Sequence, residues 1–375
     1  MPLVLLLAIA VGVAIVARRL RLPYTVGLVL VGIAIALADV RIGTALTHDF
    51  IFFAILPPLL FEAALALRWR DLWADAGILA VLSTLGTVIA AAVVGFGVTI
   101  LLHWPLPVAC VFGALIAATD PVAVIAMFKD NRVTGRLRTL LEAESLFNDA
   151  AAAILFSLAV GYATVSGGPD ASMLSGHLLL VIGGGILIGA ACGVFTILLA
   201  GRTSEHSVEV ALTVLAAYGS FLVAEQVGAS GILATVVSGL VVGNLGVFSE
   251  RNDMSKKAKE FALEFWEFAA FLANSMVFPL IGVAIGATAF APQSLLGLAA
   301  VIVLVLIARA VTIYPLCFAF AATQQKVAMA HQHVLWWGGS RGALAFALAH
   351  STPHPMPHRR ETVVTTFAVV AFSTT

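Results

Sequence analysis

The sequence has 375 residues, 61% hydrophobic and 11% charged, with a mean hydropathy of +1.06 and 20 basic residues against 20 acidic ones. That composition excludes a soluble domain of this size, and a formal charge of zero offers no bulk attraction for nucleic acid. Cys110, Cys192 and Cys317 all lie in apolar runs, so they give neither a disulfide framework nor a paired-cysteine metal spacing. An all-α polytopic membrane protein is expected, its apolar side chains facing lipid.

Apolar runs cut by turn and charge signals predict about thirteen spans, beginning near residues 2, 24, 49, 75, 106, 139, 177, 207, 229, 261, 293, 328 and 362. The first run, Leu3 to Ala17, precedes its arginines, whereas a signal peptide carries positive charge first, so it reads as a transmembrane helix. Span 3 holds Leu56-Pro57-Pro58-Leu59-Leu60-Phe61-Glu62. Its prolines loosen the preceding turn, and Glu62 is an acid within the span. The alternative for Glu62 is a side chain reaching the interface beside Arg68.

Span 5 runs from about Leu106 to Phe128 and carries Ala118-Thr119-Asp120-Pro121 near its middle. A bare carboxylate there is expensive and marks function by default. Pro121 has no N–H, crowds the carbonyl of Ala117 and disfavours helical backbone at Asp120. The helix is predicted to unwind at Thr119-Asp120, which would free carbonyl oxygens beside a hydroxyl and a carboxylate. Hard cations take such ligands, and transporters place broken helices at the membrane midplane. The alternative is a proline kink whose Asp120 is neutral or bonded to backbone.

Span 6 contains Glu144-Ser145-Leu146-Phe147-Asn148-Asp149. At ~1.5 Å per residue from Thr139, Asp149 lies about 15 Å deep in a ~30 Å core, a depth that Asp120 reaches from the other side. Ser145, Asn148 and Asp149 share a helical face. One polar residue could be interhelical glue; three, with Glu144 a turn earlier, suggest a site. In spans 7 to 9, Gly183-Gly184-Gly185 and Gly189 predict close helix contact. Glu225 is placed at an interface, without a catalytic role. Ser249 to Glu260 reads as a linker helix on the membrane surface. Arg309 in span 11 needs a partner that the sequence does not identify. Span 12 holds Gly338-Gly339-Ser340-Arg341-Gly342, whose glycines weaken the helix. Spans 5 and 12 lie seven apart in the count and enter from opposite faces, as inverted repeats with two discontinuous helices would. Arg341 falls at midspan and needs a carboxylate, with Glu144 the first candidate. The alternative is a wet vestibule with no particular partner. The last run, Thr362 to Phe372, is too short to cross, which implies an incomplete span or a truncated chain.

The basic residues set the orientation. Arg18, Arg19, Arg21, Arg68, Arg70, Lys129, Arg132, Arg136, Arg138, Arg202, Arg251, Lys256, Lys257, Lys259 and Lys326 fall on one side. Arg41, Arg359 and Arg360 fall on the other. The rich side is expected in the cytoplasm, with the N-terminus outside and the C-terminus inside.

Leu56–Leu65 (LPPLLFEAAL), Ala118–Val124 (ATDPVAV), Glu144–Asp149 (ESLFND), Gly338–Ala343 (GGSRGA) and Ala216–Asn244 together resemble the monovalent cation:proton antiporters, in the NhaP/NHE branch of sodium/proton exchangers. The resemblance covers residues 1–375 as one transmembrane exchanger domain. It implies thirteen helices with a dimerisation side and an ion-binding side, a homodimer in the cell membrane, and exchange of Na+, or Li+ or K+, for H+ without a further cofactor. It implies that Asp149 binds cation and proton alternately, with Asp120, Ser145, the Thr119 backbone and Glu62 completing or supporting the site. Asn148 stands where the electrogenic branch has a second aspartate, which implies electroneutral exchange. Glu144 and Arg341 would form a structural ion pair.

The chemistry needs no enzymatic step: a carboxyl group held out of water beside a second acid can hold a proton or a cation, and the two acids titrate as a pair. A K+/H+ antiporter of the same fold is the near alternative. An intramembrane aspartyl protease built on Asp120 and Asp149 would want a YD plus GxGD pattern that neither has. A cation channel would pass ions without proton coupling.

Overall fold

The computed structural model describes residues 2–20, 24–38, 50–130, 133–164, 171–203, 205–249, 254–286, 292–353 and 356–374. Arg21, Arg41, Arg132 and Arg251, used above for orientation, lie outside the described residues. The helices are α1 (Pro2–Leu20), α2 (Tyr24–Leu37), α3 (Leu56–Ala66), α4 (Trp69–Ala74), α5 (Ala76–Ala80), α6 (Gly86–Leu102), α7 (Leu106–Ala117), α8 (Val122–Asp130) and α9 (Arg136–Thr164). They continue with α10 (Ala171–Leu178), α11 (Gly184–Ala200), α12 (His206–Gln226), α13 (Gly231–Val241), α14 (Lys256–Gly286), α15 (Pro292–Ala319), α16 (Met329–Trp337), α17 (Ala343–Ser351) and α18 (Arg359–Thr374). No strand occurs among the described residues. Among the described residues, seven helical stretches are long and apolar enough to cross a membrane, and four shorter apolar ones accompany them.

The chain divides into two compact units: Met1–His48, Asp75–Gly167 and Asn274–Thr375 form the first, and Asp49–Ala74 with Gly168–Ala273 the second. In the first, small residues let backbones approach. A methyl group on Gly32 of α2 would stand 2.1 Å from the Pro279 carbonyl oxygen of α14, and one on Gly113 of α7 would stand 2.2 Å from that of Ala91 in α6. The start of α9 is fixed by Arg136. Its guanidinium grips the buried Asp75 carboxylate at 2.6–3.1 Å and donates to the carbonyls of Gln325 (2.9 Å) and Lys326 (2.7 Å).

In the second unit, a π-helical turn (Phe50–Ile55) leads into α3. Pro58 has no N–H for the carbonyl of Ala54, four residues back. The Tyr218 hydroxyl of α12 donates to that oxygen instead, at 2.9 Å. Gly185, Gly189 and Gly193 of α11 face α13; a methyl on Gly189 would meet the Ala234 carbonyl oxygen at 2.3 Å. Gly183, by contrast, faces open space. Glu225 closes a turn by accepting the Gly231 N–H at 2.9 Å. Phe61 and Trp266 centre the core, and the Trp266 indole N–H donates to Thr213 at 2.9 Å.

One expectation is corrected here. No separate linker helix ends at Glu260. Lys256–Glu260 are the first turns of α14 itself, whose start is held by the buried Glu209 carboxylate accepting the Ser255 N–H at 2.8 Å. The last helix spans 16 residues, with Arg359, Arg360 and Glu361 in its first turn, and its apolar part is as short as expected.

Candidate ion-binding site

Helix α7 stops at Ala117, the residue whose carbonyl Pro121 would crowd, and α8 starts at Val122. Between them Ala118 is extended, with φ −56° and ψ 137°. The second interruption separates α16 from α17 at Gly338–Gly342. The two unwound segments hold each other: the Asp120 N–H donates to the Ser340 carbonyl at 2.7 Å, and the Ser340 hydroxyl donates back to the Asp120 carbonyl. Each thus supplies partners that a broken helix lacks.

The Asp120 carboxylate accepts the N–H of Val122 at 3.0 Å and that of Ala343. It therefore caps two helices at once, α8 and α17, and meets the positive end of each dipole. The bonding to backbone that was the alternative for Asp120 is thus present, but in a break rather than a kink. Gly342 leaves room for it: a methyl there would lie 1.8 Å from Asp120 Oδ2. Gly342→Ala should therefore cost ~1–3 kcal/mol of local packing and displace the carboxylate. Sodium-driven proton flux in proteoliposomes is expected to fall at least severalfold, with the protein still recovered from the membrane.

Helix α9 lies against this break. The Ser145 hydroxyl donates to the Thr119 carbonyl, and the Asn148 amide donates to the Thr119 hydroxyl at 3.0 Å. The Asn148 carbonyl in turn accepts from Thr87 of α6 at 2.9 Å. Thr119, Ser145, Asn148 and Thr87 are all buried. Asp149 stands next on the same helix. Its Oδ1 is buried and has no hydrogen-bond partner, and the charges that act on it are those of Asp120, Glu144 and Arg341.

The predicted pairing of Glu144 with Arg341 is wrong. Glu144 makes a two-pronged ion pair with Arg309 of α15, at 2.7 and 2.9 Å. Both are nearly sealed, at 1% and 5% exposure. Arg309 also donates to the Leu335 carbonyl, and Gly339 gives it space: a methyl there would sit 2.5 Å from Arg309 Nε. Arg341 is equally buried, at 1%, so it lies in no wet vestibule. It donates to the Gly339 carbonyl at 2.7 Å, its Nε has no hydrogen-bond partner, and its backbone N–H donates to Ser373. Arg341 is thus buried at the break, but Glu144 is not its ion-pair partner.

Of the predicted site residues, Asp120, Pro121, Thr119, Ser145, Asn148, Asp149, Glu144 and Arg341 all belong to the first unit, and all but Glu144 line or adjoin the two breaks. Glu62 is half-buried on α3 of the second unit. Thr87 and Ser340 were not singled out. The one trace of Thr87 in the sequence is that it follows Ser83 by one turn in a mostly apolar run.

Two unwound helices pinned to each other, beside a carboxylate with one buried oxygen left unbonded, are the arrangement by which secondary ion transporters hold their passengers. The family model described as the transmembrane sodium/hydrogen exchanger matches residues 4–375. The chain is 38% identical to the Na(+)/H(+) antiporter ApNhaP of Aphanothece halophytica, over 98% of this chain and 71% of that protein. It is 32% identical to the Na(+)/H(+) antiporter NhaH of Halobacillus dabanensis, over 99% and 93%. The solved structure of the sodium proton antiporter MjNhaP1 from Methanocaldococcus jannaschii shares the fold, with a TM-score of 0.79 at 22% identity over 99% of this chain and 93% of that one. The chain belongs to the sodium/hydrogen exchanger family.

Proposed function

We propose that the chain exchanges Na+ for H+ across a cell membrane, and so serves pH homeostasis, with Asp149 holding either ion in turn as access alternates between the two sides. One observation carries this reading: among the polar groups around the break, Asp149 Oδ1 is the buried acceptor whose bonding is left over. The Thr119 carbonyl and the Ser145 hydroxyl are the neutral oxygens that would join it around a cation. Asn148, bonded at both ends of its amide, adds no titrating charge beside Asp149, which supports electroneutral exchange. The paired breaks support thirteen spans built as inverted repeats whose discontinuous helices cross. The asymmetry of basic residues supports an outer N-terminus and a cytoplasmic C-terminus. A homodimer and transport of Li+ or K+ complete the proposal.

Competition has a kinetic signature. With purified protein in proteoliposomes, the KM for Na+ should rise about tenfold per unit fall of pH on the acid side, with little change in maximal rate, because each ion weakens the other's binding equally. A KM that ignores pH while the maximal rate collapses would refute a shared site. Repeating the series with Li+ and K+ tests the potassium alternative, and cation flux without proton movement would mark a channel.

A further inference from the structure

Outside the ion site, the first unit carries a groove of ≈ 700 Å³ between the end of α15 and the start of α16. Its volume is that of a small-ligand site, ~300–1,000 Å³. Tyr314, Pro315, Phe318, Val327 and Met329 give it apolar walls, and Lys326 is the one charged side chain that lines it. Phe318 and Met329 are 78% and 61% exposed, so the groove opens onto the apolar flank of a helix long enough to cross a membrane. The Lys326 side chain is exposed and has no ion-pair partner among the described residues. An apolar trough with one uncompensated ammonium at its rim matches one kind of molecule: a lipid with an anionic headgroup. Basic positions at the ends of membrane helices select such headgroups. A neutral lipid would leave the ammonium unmatched, and a soluble anion would leave the trough bare.

We propose that this groove binds an acyl chain of an anionic phospholipid, with the headgroup phosphate on Lys326. The segment it would touch is already tied to the ion site from two directions. The Gln325 and Lys326 carbonyls accept from Arg136, at the start of the helix that bears Asp149. Helix α16, which forms one wall, runs to the Gly338–Gly342 break that holds Asp120. A bound lipid therefore steadies α16 and favours exchange. This second step rests on the antiport reading; the binding step does not.

The test uses the full chain, extracted from vesicles of equal phosphatidylglycerol and phosphatidylcholine and examined by native mass spectrometry. Wild type should keep one phosphatidylglycerol more than Lys326→Gln, whose retention falls about fivefold, the worth of one basic residue at a membrane surface. Lys326→Arg should keep it. Ala321→Trp, which fills the groove and leaves the ammonium in place, should lose it. Equal retention by wild type and both loss variants, or equal retention of the two lipids, overturns the site whether or not the protein transports. Exchange in phosphatidylcholine vesicles should rise on adding phosphatidylglycerol for wild type and stay flat for Lys326→Gln. A rise of the same size in both overturns the coupling to exchange.

Discussion

Asp149→Asn should reduce sodium-driven proton flux to that of protein-free liposomes while the protein folds, inserts and elutes as wild type does. The amide has the shape of the carboxylate and keeps an acceptor where Oδ1 now stands without a partner. It loses the two properties that exchange requires, a negative charge for the cation and a proton to trade. The other groups at the break keep their bonds: Ser145 and Asn148 to Thr119, and Asp120 to the two helix starts. Stability should therefore change by less than ~1 kcal/mol. A thermal melt beside a flux assay reads both quantities. Full transport by the variant would remove Asp149 from the mechanism, and a variant that fails to fold would make it a structural residue.

The second large effect is on stability. Glu144→Gln leaves the Arg309 guanidinium sealed from water with no counter-charge, and breaking a buried pair from one side costs ~3–5 kcal/mol. The melting temperature should fall by roughly 5–10 °C. Removing both charges, as in Glu144→Gln with Arg309→Met, should recover part of that loss, because the orphaned charge goes too. Pairing Glu144→Gln with Arg341→Gln should give no such recovery, since Arg341 donates to a backbone carbonyl and not to Glu144. Recovery with Arg341 and none with Arg309 would reverse the assignment.

The wrong partner for Glu144 shows where sequence reading stops. The breaks were legible because proline and paired glycines act on their own backbone, within a few residues. The polar row on α9 was legible because its spacing is that of a helix face. Choosing between Arg309 and Arg341 needed something else: which way each helix turns relative to a neighbour more than a hundred residues away. Hydropathy answers that when one face is polar. Helices α6 and α15 are apolar around most of their circumference, and their few polar residues left no periodic mark of their rotation. Thr87, on α6, escaped for the same reason. The start of α14 was misread because Lys256–Glu260 is charged. Charge marks the end of the lipid-facing stretch, not the end of the helix.

Asp120 sits on the N-terminal ends of α8 and α17, and Arg341 donates just past the C-terminal end of α16. Each helix end is thus faced by a side chain able to carry the complementary sign, and the pair Glu144–Arg309 balances itself. On the proposed reading, Asp149 is then the local group whose charge a passenger alters. A proton and an alkali ion alter it by the same amount. Calcium would add one positive charge too many in a medium that tolerates it poorly. Discrimination by valence then needs no sizing of the cavity, and calcium gradients should release no protons through this protein.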